Sequence, residues 1–347
     1  MNLELPKSKL AKALLAPAAL IYKTLVKARA KAYENGLASI NKVEVPVISV
    51  GNITVGGTGK TPITMFLAKQ LIAQGRKIAI LSRGYNRKSK SNFVVASDGT
   101  KILCSVEDCG DEPYMMALEV PQAVVICGRS RSAIARLAID KFKCDTLLLD
   151  DGFQHILLHR DINIALLDYQ DDLETEQLLP AGRLREPVSA LSRATHVVIT
   201  KIPSNADSLR IERIKNIVRK YAPSCSIYSC RFKLENTLKT QNKTAVAFAG
   251  IARPDQFFSD LESSDLRITL LARLAYEDHH WYDDFDIKRI RDTLEETGSD
   301  IGLTTLKDLA RLESRKVEPQ VAKLLEKTVG VGLQIDWIGD SLILSIK

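Results

Sequence analysis

Residues 47–61 read VISVGNITVGGTGKT, an apolar β-branched run that ends in a glycine-rich turn and passes straight into Lys-Thr. This order of residue types builds a cradle for phosphate. Small residues let backbone N–H groups close around phosphate oxygens, a following helix aims its N-terminus at them, and a lysine adds a movable cation. Gly56, Gly57, Thr58, Gly59, Lys60 and Thr61 would hold the nucleotide, with the Thr61 hydroxyl offered to Mg²⁺. The strict pattern G-x-x-x-x-G-K-[ST] has glycine where this chain has Thr54. Pro62 follows, and an early helical position tolerates it because that N–H has no intrahelical partner.

Further downstream, residues 144–155, CDTLLLDDGFQH, form an apolar run ending in Asp150 and Asp151. A carboxylate at such a strand end, beside a phosphate loop, holds Mg²⁺ directly or through water. Asp-Asp-Gly is also ordinary turn chemistry, and the upstream loop favours the metal reading. In CGDEPYM, Asp111 and Glu112 stand just before Pro113. The pattern alone favours a helix cap and a first-turn acid. The functional alternative is a carboxylate presented near the γ-phosphate. Arg83 and Arg87, Arg129 and Arg131, and Arg183 and Arg185 follow strands or sit in loops. Basic loops at the carboxyl ends of strands suit phosphate chemistry. Residues 277–281, EDHHW, hold two of the five histidines and otherwise read as a surface turn. A guanine-reading Asn-Lys-x-Asp is replaced by Thr200-Lys201-Ile202-Pro203, and position 153 is Phe153 where a D-x-x-G switch has glycine, so a GTPase is disfavoured.

The elements that must position these residues alternate. Strands are expected over 77–81, 93–96, 123–127, 146–150, 162–168 and 196–200, several as continuous apolar runs buried on both faces. Helical patterns cover 63–73, 113–118 and 130–141. The fold class is α/β: an open, mostly parallel sheet flanked by helices. Polar, irregular residues 203–208 mark a boundary. A second α/β series follows, with strands over 245–249, 268–271, 302–306, 330–336 and 342–346 and a helix near 255–261.

The chain has 347 residues and a net charge of +7, which suggests an anionic partner. Nucleic acid is not indicated, because the basic residues lack aromatic interleaving or a known module. Six cysteines form no C-x-x-C pair and read as reduced, packed thiols; a metal site built on the two C-x4-C spacings is the weaker reading. Residues 1–31 carry seven Lys and Arg against Glu4 alone, with Leu10, Leu14, Ala18, Ile21 and Leu25 at helical spacing. The apolar run is too short to span a bilayer, and export as a signal peptide would separate a nucleotide site from its nucleotide. A helix packed on the core and a basic amphipathic helix lying on an anionic membrane remain open from these residues alone.

Taken together, GNITVGGTGKTP, LSRGYNRK, GDEPYMMA, LLLDDGFQH, LLPAGRLREP, AFAGIARPDQF, EDHHWYDDFD and LTTLKDLARL resemble, in order and over most of the chain, the tetraacyldisaccharide 4′-kinase family, the lipid A kinases of Gram-negative bacteria. Asn86, where that family more often has glycine, is a small departure; Thr54 is not one. The resemblance implies a P-loop kinase domain and a smaller α/β domain joined by a two-stranded linker. Here these would be a lipid-contacting N-terminal helix over 1–36, a nucleotide domain over 37–205 and a smaller domain over 206–347. It implies ATP and Mg²⁺, transfer to the 4′-hydroxyl of tetraacyldisaccharide 1-phosphate, and peripheral attachment at the cytoplasmic face of the inner membrane, with no obligatory protein partner. By position, Lys60 would bind phosphates, and Thr61, Asp150 and Asp151 would form the metal region. Asp111 would be the base with His279 as its partner, and Arg185 would act in the active site. Glu186, Arg183 and Arg83 would meet the substrate. The alternative is a P-loop ATPase that switches a partner protein, with the basic N-terminus as docking arm.

Overall fold

The computed structural model describes residues 9–235 and 242–344. Helix α1 (Lys9–Glu34) precedes strand β1 (Val47–Asn52) and helix α2 (Lys60–Ala73). Then come β2 (Ile78–Ser82), β3 (Phe93–Asp98), α3 (Val106–Cys109), α4 (Asp111–Glu119), β4 (Val124–Gly128), α5 (Arg131–Asp140), β5 (Thr146–Asp150), β6 (Ile162–Asp168) and β7 (His196–Thr200). Helix α6 (Ser208–Tyr221) and β8 (Ser226–Leu234) lead to β9 (Thr244–Ala249), α7 (Pro254–Ser263), β10 (Thr269–Ala275), α8 (Asp284–Thr297), β11 (Ile301–Thr305), α9 (Leu306–Glu313), α10 (Pro319–Leu325), β12 (Thr328–Val331) and β13 (Leu333–Trp337).

Nine strands form one sheet in the order β13-β8-β7-β6-β1-β5-β2-β4-β3, and four form a second, β10-β9-β11-β12. The large sheet is parallel from β8 to β4, with antiparallel β13 and β3 at its edges. The small sheet is wholly parallel. Every residue of β1, β2, β4 and β5 is buried, because helices cover both faces. Ile48, Val50, Ile80 and Leu148 pack with Ile63 and Leu67 of α2 and Met116 of α4. Their neighbours Val47, Ala79, Leu81, Leu147 and Leu149 face the other way, onto Ile134, Ala135 and Ala138 of α5.

The expected α/β architecture is present, with three differences in detail. Residues 226–234 form a strand the sequence reading passed over. The expected strand over 330–336 breaks at Gly332. β12 stays in the small sheet, while β13 crosses to pair antiparallel with β8. A Cβ on Gly332 would lie 2.5 Å from the Glu235 carboxylate, which would have to swing aside. Residues 342–344 of the expected last strand form no ladder, and the rest of it lies outside the described residues. The Gln70 and Gln74 amides replace a neighbouring strand there, donating to the Leu342 and Leu344 carbonyls. The small sheet begins only at Thr244, so α6 and β8 build on the large one.

Gly51 is the penultimate residue of β1, where a side chain would collide with the turn. A Cβ there would stand 2.6 Å from both the backbone nitrogen and Cβ of Phe153, a fully buried ring just past the Asp-Asp turn. Gly51→Ala is therefore expected to lower unfolding free energy by about 1–3 kcal/mol, by pushing strand end and turn apart. Denaturant melts check this; unchanged stability would show that the turn can move aside freely.

Candidate active site

The glycine-rich loop is held from behind by residues 183–185. The Val55 N–H donates to the Arg183 carbonyl at 2.7 Å, and the Arg185 N–H to that of Ile53 at 2.7 Å. Thr54, where the strict motif has glycine, is buried and donates its hydroxyl to Asp171 at 3.0 Å. A side chain here therefore anchors the loop from outside the cradle. Arg183 Nη1 pairs with Asp171 at 2.8 Å, and Nη2 donates to the Val55 carbonyl at 3.1 Å. The Thr200 hydroxyl holds the Thr58 carbonyl at 2.8 Å. Gly59 opens α2 in the left-handed region (φ 89°), against the Phe232 ring. Lys60 Nζ donates to Asn52 Oδ1 and the Gly56 carbonyl, both at 3.4 Å, and stands 3.7 Å from Asp151.

β5 delivers the acidic pair beside this loop, with Asp150 in register with Val50. Asp150 accepts from the Thr64 hydroxyl at 3.1 Å. Burial, then the neighbouring Glu112 and Asp151 charges, push its carboxyl up to about 7. Asp151 occupies the turn at φ 51° and receives Arg185 Nη1 on both oxygens, at 2.9 and 3.1 Å. Burial would raise it too, but Lys60 and Arg185 outweigh burial and hold it below the ordinary range. Among the described residues no three His, Cys, Asp or Glu side chains gather as a self-sufficient metal cage. One or two carboxylates with a threonine hydroxyl suit Mg²⁺, which keeps water and phosphate ligands and prefers oxygen.

Asp111 is the first residue of α4, behind Gly110 (φ 95°), whose Cβ would strike the Tyr85 carbonyl at 2.7 Å. Its side chain caps nothing beyond Glu112, whose N–H donates to Oδ1 at 2.9 Å. Asp111 Oδ2 instead receives His279 Nδ1 at 2.8 Å and Arg311 Nη2 at 2.7 Å. Burial would raise this carboxyl; His279, Lys307 and Arg311 overcome it and hold it well below the carboxylate range. The same contact raises His279 against its own burial. Lys307 pairs with Glu112 at 2.7 Å. His280, the other histidine of EDHHW, pairs with Asp286 at 2.7 Å in the capping box of α8.

Sequence reasoning assigned no role to Lys307 or Arg311. Their signal is four-residue spacing on a helix that directly follows a buried strand, which puts two cations on one face. The remaining residues divide. Glu186 is buried and paired with Arg193 at 2.6 Å. Arg83 is exposed and lies with Arg131, Arg160 and Arg29 around His155, which burial and then these cations push down to about 4. α1 closes this side: the Tyr22 hydroxyl donates to the Arg185 carbonyl at 2.8 Å and Arg29 to that of Gln154 at 3.3 Å.

The family described as tetraacyldisaccharide-1-P 4′-kinase matches residues 11–339. Among curated relatives, the tetraacyldisaccharide 4′-kinase of Pelobacter propionicus is 39% identical over 312 residues, covering 86% of this chain and 82% of that one. That of Geobacter sulfurreducens is 36% identical, covering 90% and 88%. The crystal structure of the "apo" form of LpxK from Aquifex aeolicus in complex with ATP aligns with a TM-score of 0.76 at 32% identity, over 94% of this chain and 95% of that one. With the family match, the sequence identity and the overall fold in agreement, the chain belongs to the tetraacyldisaccharide-1-P 4′-kinase family.

Proposed function

We propose that the chain transfers the γ-phosphoryl of ATP to the 4′-hydroxyl of tetraacyldisaccharide 1-phosphate, the reaction its relatives are named for. The observation that carries this is a carboxylate, Asp111, on the unit that bears the phosphate loop, paired with a histidine that follows a strand of the other sheet. ATP follows from the relative crystallised with it. A switch ATPase is not favoured by this membership.

Phosphoryl transfer needs positioning and charge neutralisation more than covalent help. Lys60 and the loop N–H groups hold the phosphates. Thr61, Asp150 and Asp151 would hold Mg²⁺, which supplies charge neutralisation at the phosphate oxygens. Arg185, held 2.9 Å from Asp151, would add a cation beside the phosphate oxygens. Asp111, kept ionised by its neighbours, accepts the 4′-hydroxyl proton late, contributing roughly 10²–10⁴-fold, and His279 orients it. Arg83 and the arginines around His155 suit the acceptor's 1-phosphate, while Arg183 and Glu186 shape the loop and the wall beside Tyr22. α1 would lie on the anionic cytoplasmic face of the inner membrane. Leu14, Leu20, Ile21 and Leu25 are each more than half exposed beside Lys23, Lys27 and Lys31, and no described helix is long and apolar enough to cross a bilayer. Incubation with Mg·ATP and tetraacyldisaccharide 1-phosphate tests the whole reading: the lipid product must gain one phosphoryl group by mass.

Three outcomes are expected. Lys60→Ala should lower kcat by roughly 10²–10³-fold, the scale of losing one preorganised charge contact, and chelation of Mg²⁺ should abolish turnover; wild-type rates in Lys60→Ala would sink the loop assignment. Asp111→Ala combined with His279→Ala should cost little more in kcat than the worse single change, because residues acting as one unit are non-additive; additive losses, measured beside melting temperatures, would falsify the dyad. Vesicles containing anionic lipid should sediment the protein, less so as salt rises, each basic residue near the surface giving about 1 kcal/mol. A chain lacking residues 1–31 that still sediments equally would place the membrane contact elsewhere.

A further inference from the structure

Arg311 is as buried as the apolar core, at 3% exposure, and the roles above do not use it. Its guanidinium makes three bonds in three directions. Nη1 donates to the Gly250 carbonyl at 3.0 Å and to Asp308 Oδ1 at 2.7 Å, and Nη2 to Asp111 Oδ2 at 2.7 Å. The Gly250 carbonyl is shared, because the His279 N–H donates to it at 3.1 Å. One cation thus grips the carboxylate directly and grips the backbone of its histidine partner through a single oxygen.

The surroundings make this grip rigid. Asp308 is fully buried and also accepts from the Thr305 hydroxyl at 2.7 Å, at the N-terminus of α9. A Cβ on Gly250 would meet His280 Cβ at 2.9 Å and Asp308 Oδ1 at 3.1 Å, so the approach requires glycine. His279 sits at φ 61°, a left-handed backbone that a fixed N–H acceptor helps to hold. The planar fork suits several acceptors in fixed directions, which a lysine ammonium on a flexible stem does not.

We propose that Arg311 is a positioning residue of the phosphoryl transfer: it aims Asp111, keeps it charged, and locks it to His279 through the Gly250 carbonyl. The proposal rests on Asp111 being the base. The charged and titratable groups facing Asp111 are Lys307, Asp308 and Arg311 from α9, Asp278 and His279 from the turn before α8, and Glu112 from its own helix. Tyr85, its ring 6.5 Å from that of His279, comes from the loop after β2. Burial opposes ionisation of Asp111, and loss of one of its three main counterweights lets burial prevail at higher pH.

The test is kcat against pH, at saturating Mg·ATP and lipid so that metal-bound carboxylates are already ionised, with melting temperature read alongside. Arg311→Lys keeps the charge and loses the fork. Its kcat is expected to fall roughly 10²-fold, the effect of misplacing a reacting group, with the KM for ATP and the acid limb of the profile unmoved. Arg311→Gln loses both, so its acid limb should also move to higher pH by about one unit or more. Arg311→Gln with Asp308→Asn leaves no unpaired buried carboxylate and should fold while showing the same movement. An acid limb that stays in place in both glutamine variants, or losses in kcat that merely track melting temperature, would overturn the role. Wild-type protein that leaves the lipid unphosphorylated would overturn the reading of Asp111 and this inference with it. An active wild type with unmoved variants overturns Arg311 alone.

Discussion

A strand buried along its whole length cannot end in two carboxylates unless cations are brought to them, and this requirement organises the nucleotide side of the molecule. Lys60 arrives from the start of α2, and Arg185 from the strip that backs the phosphate loop. The same two side chains are cations that a transferring phosphoryl group can use. Phosphate oxygens would compete with Asp151 for them, and a metal ion would take up the carboxylates released. Asp150, pushed to about 7 by burial and by its acidic neighbours, shows how little compensation it receives from protein cations alone. The apolar strands beneath hold both the acids and the cations at the carboxyl ends of the central strands.

A second charge system joins the two sheets. Asp111 and Glu112, adjacent on α4, meet Arg311 and Lys307, four apart on α9. Glu112 is also one of the charges felt by Asp150, so the two systems touch through a single side chain. Any motion of α9 against α4 must therefore disturb both the dyad and the electrostatics at the end of β5. The Asp111 pairing and the polar part of the contact between α4 and α9 share the same few bonds.

Whatever was local along the chain was legible in its residues. β5, β6 and β7 have the expected ends, because a continuous apolar run closed by turn residues contains its own boundaries. β8 was not legible. Its burial is mixed without a regular alternation, the apolar/polar alternation is confined to Cys230–Leu234, and its first half is held as a strand by pairing with β7. The break at Gly332 likewise has a distant counterpart, the β8 edge with which β13 pairs. At the site, the family resemblance marked Asp111, His279 and Arg183 as candidates alike, but residue type does not reveal which partner takes a charge first. Arg183 is held by Asp171 and the Val55 carbonyl, whereas Asp111 is held by side chains about 170 and 200 positions away. Arg311 was hard to see for the same reason, since its nearby partner Asp308 reads as a helix cap and its other side-chain partner, Asp111, lies 200 positions away.

Stability alone does not account for that arginine. Replacing a buried ion pair by well-packed apolar residues is often neutral or favourable, because desolvation offsets much of the Coulomb gain. Adhesion between the sheets has an apolar source in the same place: Ala310 is buried in the large core beside Met115 and Met116, with Leu306 packed against it. An all-apolar contact between α4 and α9 would hold the sheets together as well. It would leave Asp111 buried with His279 as its one remaining side-chain counterweight of the three, and would leave the Gly250 carbonyl bound only to the His279 N–H. The network is better understood as the cost of keeping one carboxylate charged, dry and aimed at the junction of two sheets.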